Sequence, residues 1–327
     1  MSSPKISIIA PVFNSARYLA NFITSVIEQS FTDWELLLVD DGSTDSGNMV
    51  CQSFGKEDAR IVFIQKAHGG VSSARNEGIR RSRGEWLFFA DSDDLLLPDC
   101  LSILYKNTNS DVDLVSASYQ RYVDGVFIPK TIIKESAEYE SASFFEELSQ
   151  VSTLNARWLE RYLWTKLFRK SIIEDYSILF DEALSYREDV LFLFSYLVCC
   201  KKSIIGIDED VYCYFRRSDG LAMTGVCNLN LDFFYSLIKC YSLVRKEKRF
   251  RVAKNYLRKE ITAAYSRAYR IIGNHYKPHE FKIELGRIDK ELRHVSLFDY
   301  VLVKSKSFLR PLYRRIKSTI HNEASRL

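Results

Sequence analysis

The chain has no uninterrupted apolar stretch long enough to cross a bilayer. Its start, Met1-Ser2-Ser3-Pro4-Lys5, runs into a strand pattern with no apolar leader between. Cys-x-x-Cys pairs are missing as well. The seven cysteines, at 51, 100, 199, 200, 213, 227 and 240, are odd in number and mostly sit in apolar contexts. That argues against a zinc ribbon or a dithiol redox motif, and for reduced core thiols in a cytoplasmic protein. No Gly-x-Gly-x-x-Gly follows the first apolar strand, and no Gly-x-x-x-x-Gly-Lys-Ser/Thr loop occurs. Both absences argue against a dinucleotide-binding loop and a P-loop. Excess charge is scarce too: 46 basic against 42 acidic residues leave a formal +4, too little to imply a nucleic-acid partner.

What is present is an ordinary globular composition, 46% hydrophobic and 27% charged, in a chain long enough for one large domain and a smaller one. Apolar strands at Ile6–Ala10, Glu35–Val39, Ile61–Ile64 and Trp86–Phe89 alternate with helical patterns over about 16–29, from 45 or 46 onward, and over 71–81. Pro11 is expected to break the first strand. The alternation predicts an α/β fold with a mostly parallel, helix-covered sheet. Ligands of such sheets collect at the carboxyl ends of the strands, so 11–14, 40–43, 68–70 and 91–94 should share one rim.

The last of these segments concentrates the chemistry. Trp86-Leu87-Phe88-Phe89-Ala90 drives an apolar strand into Asp91-Ser92-Asp93-Asp94. Clustered carboxylates beside a core repel one another and resist desolvation, a cost that Mg²⁺ or Mn²⁺ would remove. An acidic turn capping a helix that begins near Pro98 would account for the same residues.

Four ordered motifs together resemble the family-2 glycosyltransferases: Pro11-Val12-Phe13-Asn14; Val39-Asp40-Asp41-Gly42-Ser43-Thr44-Asp45; Gly70-Val71-Ser72-Ser73-Ala74-Arg75-Asn76-Glu77-Gly78-Ile79; and Asp91-Ser92-Asp93-Asp94. The resemblance covers roughly the first 110 residues and implies the Rossmann-like GT-A fold. By that resemblance Pro11 and Phe13 pack against a nucleobase, Asp41 accepts a uracil imide hydrogen with Asp40 supporting the turn, and Asn14 orders the first loop. Arg75 stands near the diphosphate, Asp91 serves the ribose and metal-bound water, and Asp93 is the direct ligand of Mn²⁺ or Mg²⁺. The plainer alternatives are a core aromatic at Phe13, turn geometry at Asn14 and an exposed helix arginine at Arg75.

Downstream, a helix is expected from Pro98 to about Tyr105, a strand at 113–118 and a hairpin over 119–128 centred on Asp124-Gly125. Trp164-Thr165-Lys166-Leu167-Phe168-Arg169 and Phe180-Asp181-Glu182 resemble the lead-in to the family's acceptor site. Tyr186-Arg187-Glu188-Asp189-Val190 resembles its Glu-Asp motif, which makes Asp189 the candidate catalytic base; a helix N-terminus that favours acids is the alternative. Two closing strands are expected at 204–207 and 211–214, with Arg216 or Arg217 neutralising the departing nucleotide. Arg157-Trp158 is expected to be packing, and His275 with His279, separated by Pro278, makes a poor metal pair.

The boundaries expected are a glycosyltransferase domain over 1–225, divided into a nucleotide-sugar part (1–118) and an acceptor part (119–225), followed by a helical region over 226–327. Its basic tail, 303–327, suits an anionic membrane surface, a solvated face or a subunit contact. The resemblance implies an inverting, metal-dependent transfer from a UDP-sugar to a glycan or lipid-linked acceptor at the inner face of the cell membrane. A non-catalytic scaffold with the same fold is the alternative; a nucleotidyltransferase would normally carry a glycine- and lysine-rich phosphate loop, which this chain lacks.

Overall fold

The computed structural model describes residues 3–123, 126–128, 136–144, 162–216, 232–245, 247–258 and 260–261. The chain divides into two compact units, Met1–Thr224 and Gly225–Leu327. The first opens with β1 (Ile6–Val12), α1 (Ala16–Ile27), β2 (Trp34–Asp40), α2 (Gly47–Glu57), β3 (Ile61–Gln65), α3 (Val71–Arg81) and β4 (Trp86–Phe89). β5 (Leu95–Leu96), α4 (Cys100–Lys106), β6 (Val112–Val123), β7 (Val126–Ile128) and β8 (Ala137–Tyr139) follow. β9 (Lys166–Arg169), α5 (Lys170–Asp175), α6 (Glu188–Cys199) and β10 (Ser203–Arg216) complete it.

One sheet runs in the order β3-β2-β1-β4-β9-β6-β10-β5, with β7 on β6 and β8 on β10. The β3-β2-β1-β4 half is wholly parallel, as its unbroken apolar strands require of a sheet covered on both faces. β9 then inserts antiparallel between β4 and β6, so the second half is mixed. The sheet as a whole is α/β, with helices over the parallel half.

Alternation along each strand decides what each face holds. On one face Ile6, Ile8, Ala10 and Val12 pack with Leu19, Phe22, Ile23 and Val26 of α1. On the other, Ile9 meets α3 at Gly78, where a Cβ would stand 2.3 Å from the Ile9 Cγ2. Glycine is therefore what lets α3 lie against β1. Pro11 does not end β1, which continues to Val12. β4's last pairing is Phe89 with Ile9, so at Pro11 no ladder bond to β4 is forgone.

The lower edge is tied by a buried polar knot. Glu35 accepts from the Ser7 hydroxyl (2.6 Å), the Arg83 N–H (2.7 Å) and the Arg83 Nε (2.8 Å), while the Gly84 N–H donates to Ser7 Oγ (2.7 Å). This satisfies a carboxylate that is 1% exposed and fixes the turn into β4.

The two closing strands expected near 204–214 are one strand, β10, with register shifts between Gly206 and Tyr212. β7 pairs with the end of β6 as the expected hairpin. In the second unit, α7 (Asp232–Val244) precedes a short 3₁₀ turn (Lys248–Phe250), and Arg258 donates to the Tyr241 hydroxyl at 2.9 Å. Arg157-Trp158, Arg217, His275, His279 and the tail 303–327 lie outside the described residues. Among the described residues no helix is long and apolar enough to cross a membrane.

Candidate active site at the strand ends

The four strand-end segments do share one rim, and side-chain bonds lace them together. Asn14, in a left-handed conformation (φ 49°), receives the Thr44 N–H at 2.8 Å, and its own N–H donates to Ser43 Oγ at 3.0 Å. Asp40 is fully buried and accepts the Ser43 N–H at 3.0 Å, closing the turn. Asp45 accepts the first amide of α1, at Ala16, at 2.9 Å. The β1 and β2 loops thus form one piece.

Asp41 is 2% exposed, and its carboxylate accepts three hydrogen bonds. Lys66 Nζ (2.6 Å) and the Gly69 N–H (2.9 Å) reach Oδ1, and the Gly70 N–H (2.7 Å) reaches Oδ2, while His68 Nδ1 bonds the Asp41 main-chain carbonyl at 3.0 Å and lies 2.8 Å from Oδ2. A carboxylate has about four acceptor positions, so Oδ2 keeps one, beside the His68 ring. The His68 side chain is exposed, and its ring stacks on Phe13 with centroids 4.6 Å apart. Phe13 is no core aromatic: it is 49% exposed at the end of β1.

The acidic loop after β4 alternates. Ser92 and Asp94 are buried, whereas Asp91 and Asp93 are partly open. Ser92 Oγ lies 3.0 Å from Ser15 Oγ, and Asp94 accepts the Phe215 N–H of β10 at 2.9 Å. The Asp91 N–H donates to the Tyr212 hydroxyl at 3.0 Å. Tyr212 is itself fully buried and stacked on Trp164, with centroids 4.7 Å apart. Burial first, then Asp94 and Asp91, push its phenol well above the ordinary value. The turn therefore aims two carboxylates outward while its other two side chains face inward.

Arg75 crosses from this loop to the next. Its guanidinium is buried, donating to Asp91 Oδ1 at 3.1 Å and to Glu188 Oε1 at 2.9 Å, and lies 5.3 Å from the Phe180 ring centre. Burial alone would lower its pKa, but Asp91, Glu188 and Asp189 outweigh that and the net shift is upward. The exposed helix arginines are Arg80 and Arg81, both paired with Glu77.

The helix that carries Asp189 is held from two sides. Phe89 of β4 meets Phe168, Phe180 and Phe192 edge-on at 5.6, 5.3 and 5.3 Å, and Phe180 stacks on Phe192 at 4.2 Å. Asn76 of α3 fastens the loop before it, donating to the Phe180 carbonyl (3.0 Å) and accepting the Phe180 N–H (2.8 Å). Arg187 enters the helix in a left-handed conformation (φ 63°). Asp189 is partly buried and accepts the Val190 N–H at 2.7 Å. Burial, then the neighbouring Glu188, push its carboxyl up to about 6, against the pull of Arg75, that amide and Arg187. A carboxyl poised there is a base at neutral pH without being held fully ionised.

Asp189, Glu188, Arg75 and Asp91 are thus brought together by geometry, and Asp93 belongs to the same turn as Asp91. Pro11, Phe13, Asn14 and Asp41 gather at the other end of the rim. Arg216 ends β10 opposite Val123, and its side chain lies outside the described residues. Among the described residues no three His, Cys, Asp or Glu side chains gather as a ready cation cage. One or two outward carboxylates are what Mg²⁺ or Mn²⁺ takes when a diphosphate and waters supply its other ligands, so the donor set fits. Lys66 and Tyr212 have no local sequence signal for these contacts, whereas Asn76 and Glu188 lie within the quoted motifs without a partner being evident there.

The model of the family described as glycosyl transferase family 2 matches residues 7–176. Poly(ribitol-phosphate) beta-N-acetylglucosaminyltransferase TarP of Staphylococcus aureus is 31% identical over 274 residues, covering 77% of this chain and 78% of TarP. The uncharacterized glycosyltransferase EpsJ of Bacillus subtilis is 28% identical over 221 residues, 67% of this chain but only 63% of EpsJ, so the chain spans under two thirds of that relative. In structure, S. aureus TarS (residues 1–349, in complex with UDP-GlcNAc) superposes with TM-score 0.66 at 21% identity, over 96% of this chain and 87% of that one. A mannosyltransferase of Pyrobaculum calidifontis, in complex with GDP-Man and Mn²⁺, superposes with TM-score 0.54 at 14% identity, over 95% and 88%.

Proposed function

The chain belongs to glycosyl transferase family 2 and has the GT-A fold; from that premise we propose that it moves a sugar from a UDP-sugar to a glycan or lipid-linked acceptor of a cell-surface polymer, with inversion. The observation that carries the reading is the Asp91–Arg75–Glu188 bridge, which sets donor-side acids beside a raised carboxyl, Asp189. A scaffold that only binds has no use for such a base.

In this reading uracil stacks on Phe13 and its imide N–H reaches Asp41 Oδ2, beside which the exposed His68 ring now lies. Arg75 and the Arg216 region face the diphosphate and offset its charge. Asp93, with Asp91 beside it, would hold Mn²⁺ or Mg²⁺, which when bound supplies Lewis acidity at the leaving diphosphate. Asp189 takes the acceptor hydroxyl proton as that oxygen attacks the anomeric carbon from the face opposite the nucleotide. Part of the barrier is removed by the aromatic packing that holds the base's helix on β4, because it fixes orientation before the acceptor arrives.

The test is a panel of UDP-sugars with Mn²⁺, following thermal shift and UDP release. Wild type should be stabilised by at least one donor. Asp93→Ala should lose that stabilisation and lower turnover by about 100-fold or more, the order expected for a key charge-stabilising group. Intact donor binding and turnover in Asp93→Ala would overturn the assignment.

A further inference from the structure

We propose that Glu188 is a positioning residue for the transfer: its carboxylate holds the Arg75 guanidinium against Asp91, tying the donor-side acids to the helix that carries Asp189. The inference rests on the reading of Asp189 as the base, and assigns a role to the acid beside it.

The geometry is specific. Arg75 and Glu188 are 113 positions apart, yet their side chains meet at 2.9 Å with 9% and 12% of their surface exposed. Arg75 Nη1 bonds Glu188 and Nη2 bonds Asp91, while the buried Nε has no hydrogen-bond partner. Two bonds, one to each acid, therefore set the guanidinium's direction, with the Phe180 ring alongside. That ring is itself fixed by Asn76 and by its stack on Phe192. Removal of Glu188 would leave a buried cation tethered at one end, free to fold onto Asp91 and spoil the presentation of that carboxylate.

Glu188 is a poor candidate for the base itself, since its Oε1 is already committed to an arginine that never gives up its proton. Its charge does act on the base. Among the described residues the charged groups facing Asp189 are Glu188 and Arg187 from its own helix entry and Arg75 from α3, and Glu188 is the one that raises it. Anchoring Arg75 and keeping Asp189 basic are thus two effects of one carboxylate, and they are separable. Gln at 188 keeps an oxygen for Arg75 and deletes the charge; Ala deletes both.

The experiment compares wild type, Glu188→Gln, Glu188→Ala and Asp189→Asn in the full chain. It uses UDP release from the UDP-sugar that wild type turns over, with Mn²⁺, from pH 5 to 9. For Glu188→Gln the donor KM should stay within about twofold, kcat should fall by about tenfold, and the acidic limb of the kcat profile should move to lower pH than in wild type, because a weaker base remains. For Glu188→Ala the donor KM should rise by about fivefold or more as well. A Glu188→Ala enzyme with the wild-type donor KM would overturn the positioning role, leaving Glu188 a structural ion pair, and a Glu188→Gln enzyme with the wild-type kcat and an unmoved acidic limb would overturn its effect on the base. Full activity in Asp189→Asn would instead remove the base reading, and a wild type that releases no UDP from any donor would remove the functional reading. These failures are distinct.

Discussion

Asp189→Asn should cost the enzyme its turnover and make the fold more stable, by an amount that depends on pH in a set direction. In the native protein the Asp189 carboxyl is raised from 3.8 to about 6 by burial and by Glu188. Ionising it is therefore harder in the folded than in the unfolded chain. Its contribution is wholly present below the unfolded value and is lost as pH rises through the folded one. At about 1.4 kcal/mol per pH unit, the loss at pH 8 approaches about 3 kcal/mol. Asp189 is only partly buried, so about 1–3 kcal/mol is the range expected. Asn keeps an oxygen for the Val190 N–H but never ionises, so the variant escapes the loss. Urea denaturation of both proteins should give equal stabilities below about pH 4, a gap that opens between pH 4 and 6, and a plateau above pH 7 with the variant ahead. In a thermal scan the plateau corresponds to roughly 2–4 °C for each kcal/mol. A gap independent of pH, or a wild type that is the more stable at pH 8, would refute the raised carboxyl and with it the reading of Asp189 as a base.

Gly78→Ala should destabilise by about 1–3 kcal/mol through overpacking, since its Cβ would strike Ile9 at 2.3 Å; a midpoint in urea within error of wild type would show that α3 can lift off β1 freely. Phe13→Ala should weaken UDP binding by about three- to tenfold, the value of one stacked ring, measured by calorimetry. In wild type, UDP should also move the His68 imidazole resonances as the ring leaves Phe13 and Asp41; unchanged resonances at saturating UDP would contradict the placement of the base. Deletion of 303–327 should lower cosedimentation with anionic vesicles and leave binding to neutral ones unchanged, and equal cosedimentation with anionic vesicles would remove the proposed membrane contact.

The parallel half of the sheet was legible because each of its strands is an apolar run too short for a helix and bounded by turn residues. The rim followed from that, and so did the placement of Asp91 and Asp93. Pro11 misled, because the loss of an N–H ends a strand only where a neighbour needs that donor, and β4 has already stopped. The merging of two segments into β10 was hidden by Asp208, Glu209 and Asp210, which look like a loop but lie in an irregular stretch of the ladder. Antiparallel β9 is four residues long and carries no signal of direction. Least legible were the long-range partners. Nothing local to Arg75 points to Glu188, and nothing local to Asp41 announces that Lys66 and two glycine amides bond its carboxylate. Resemblance located these residues; only the folded chain supplied their partners.

Phe89 precedes the acidic turn by two positions and also serves as the seat for Phe180 and Phe192. Whatever distance separates the Asp91 turn from Asp189 is consequently gauged by a wedge of hydrocarbon. The gap behaves like the fixed jaw of a vice.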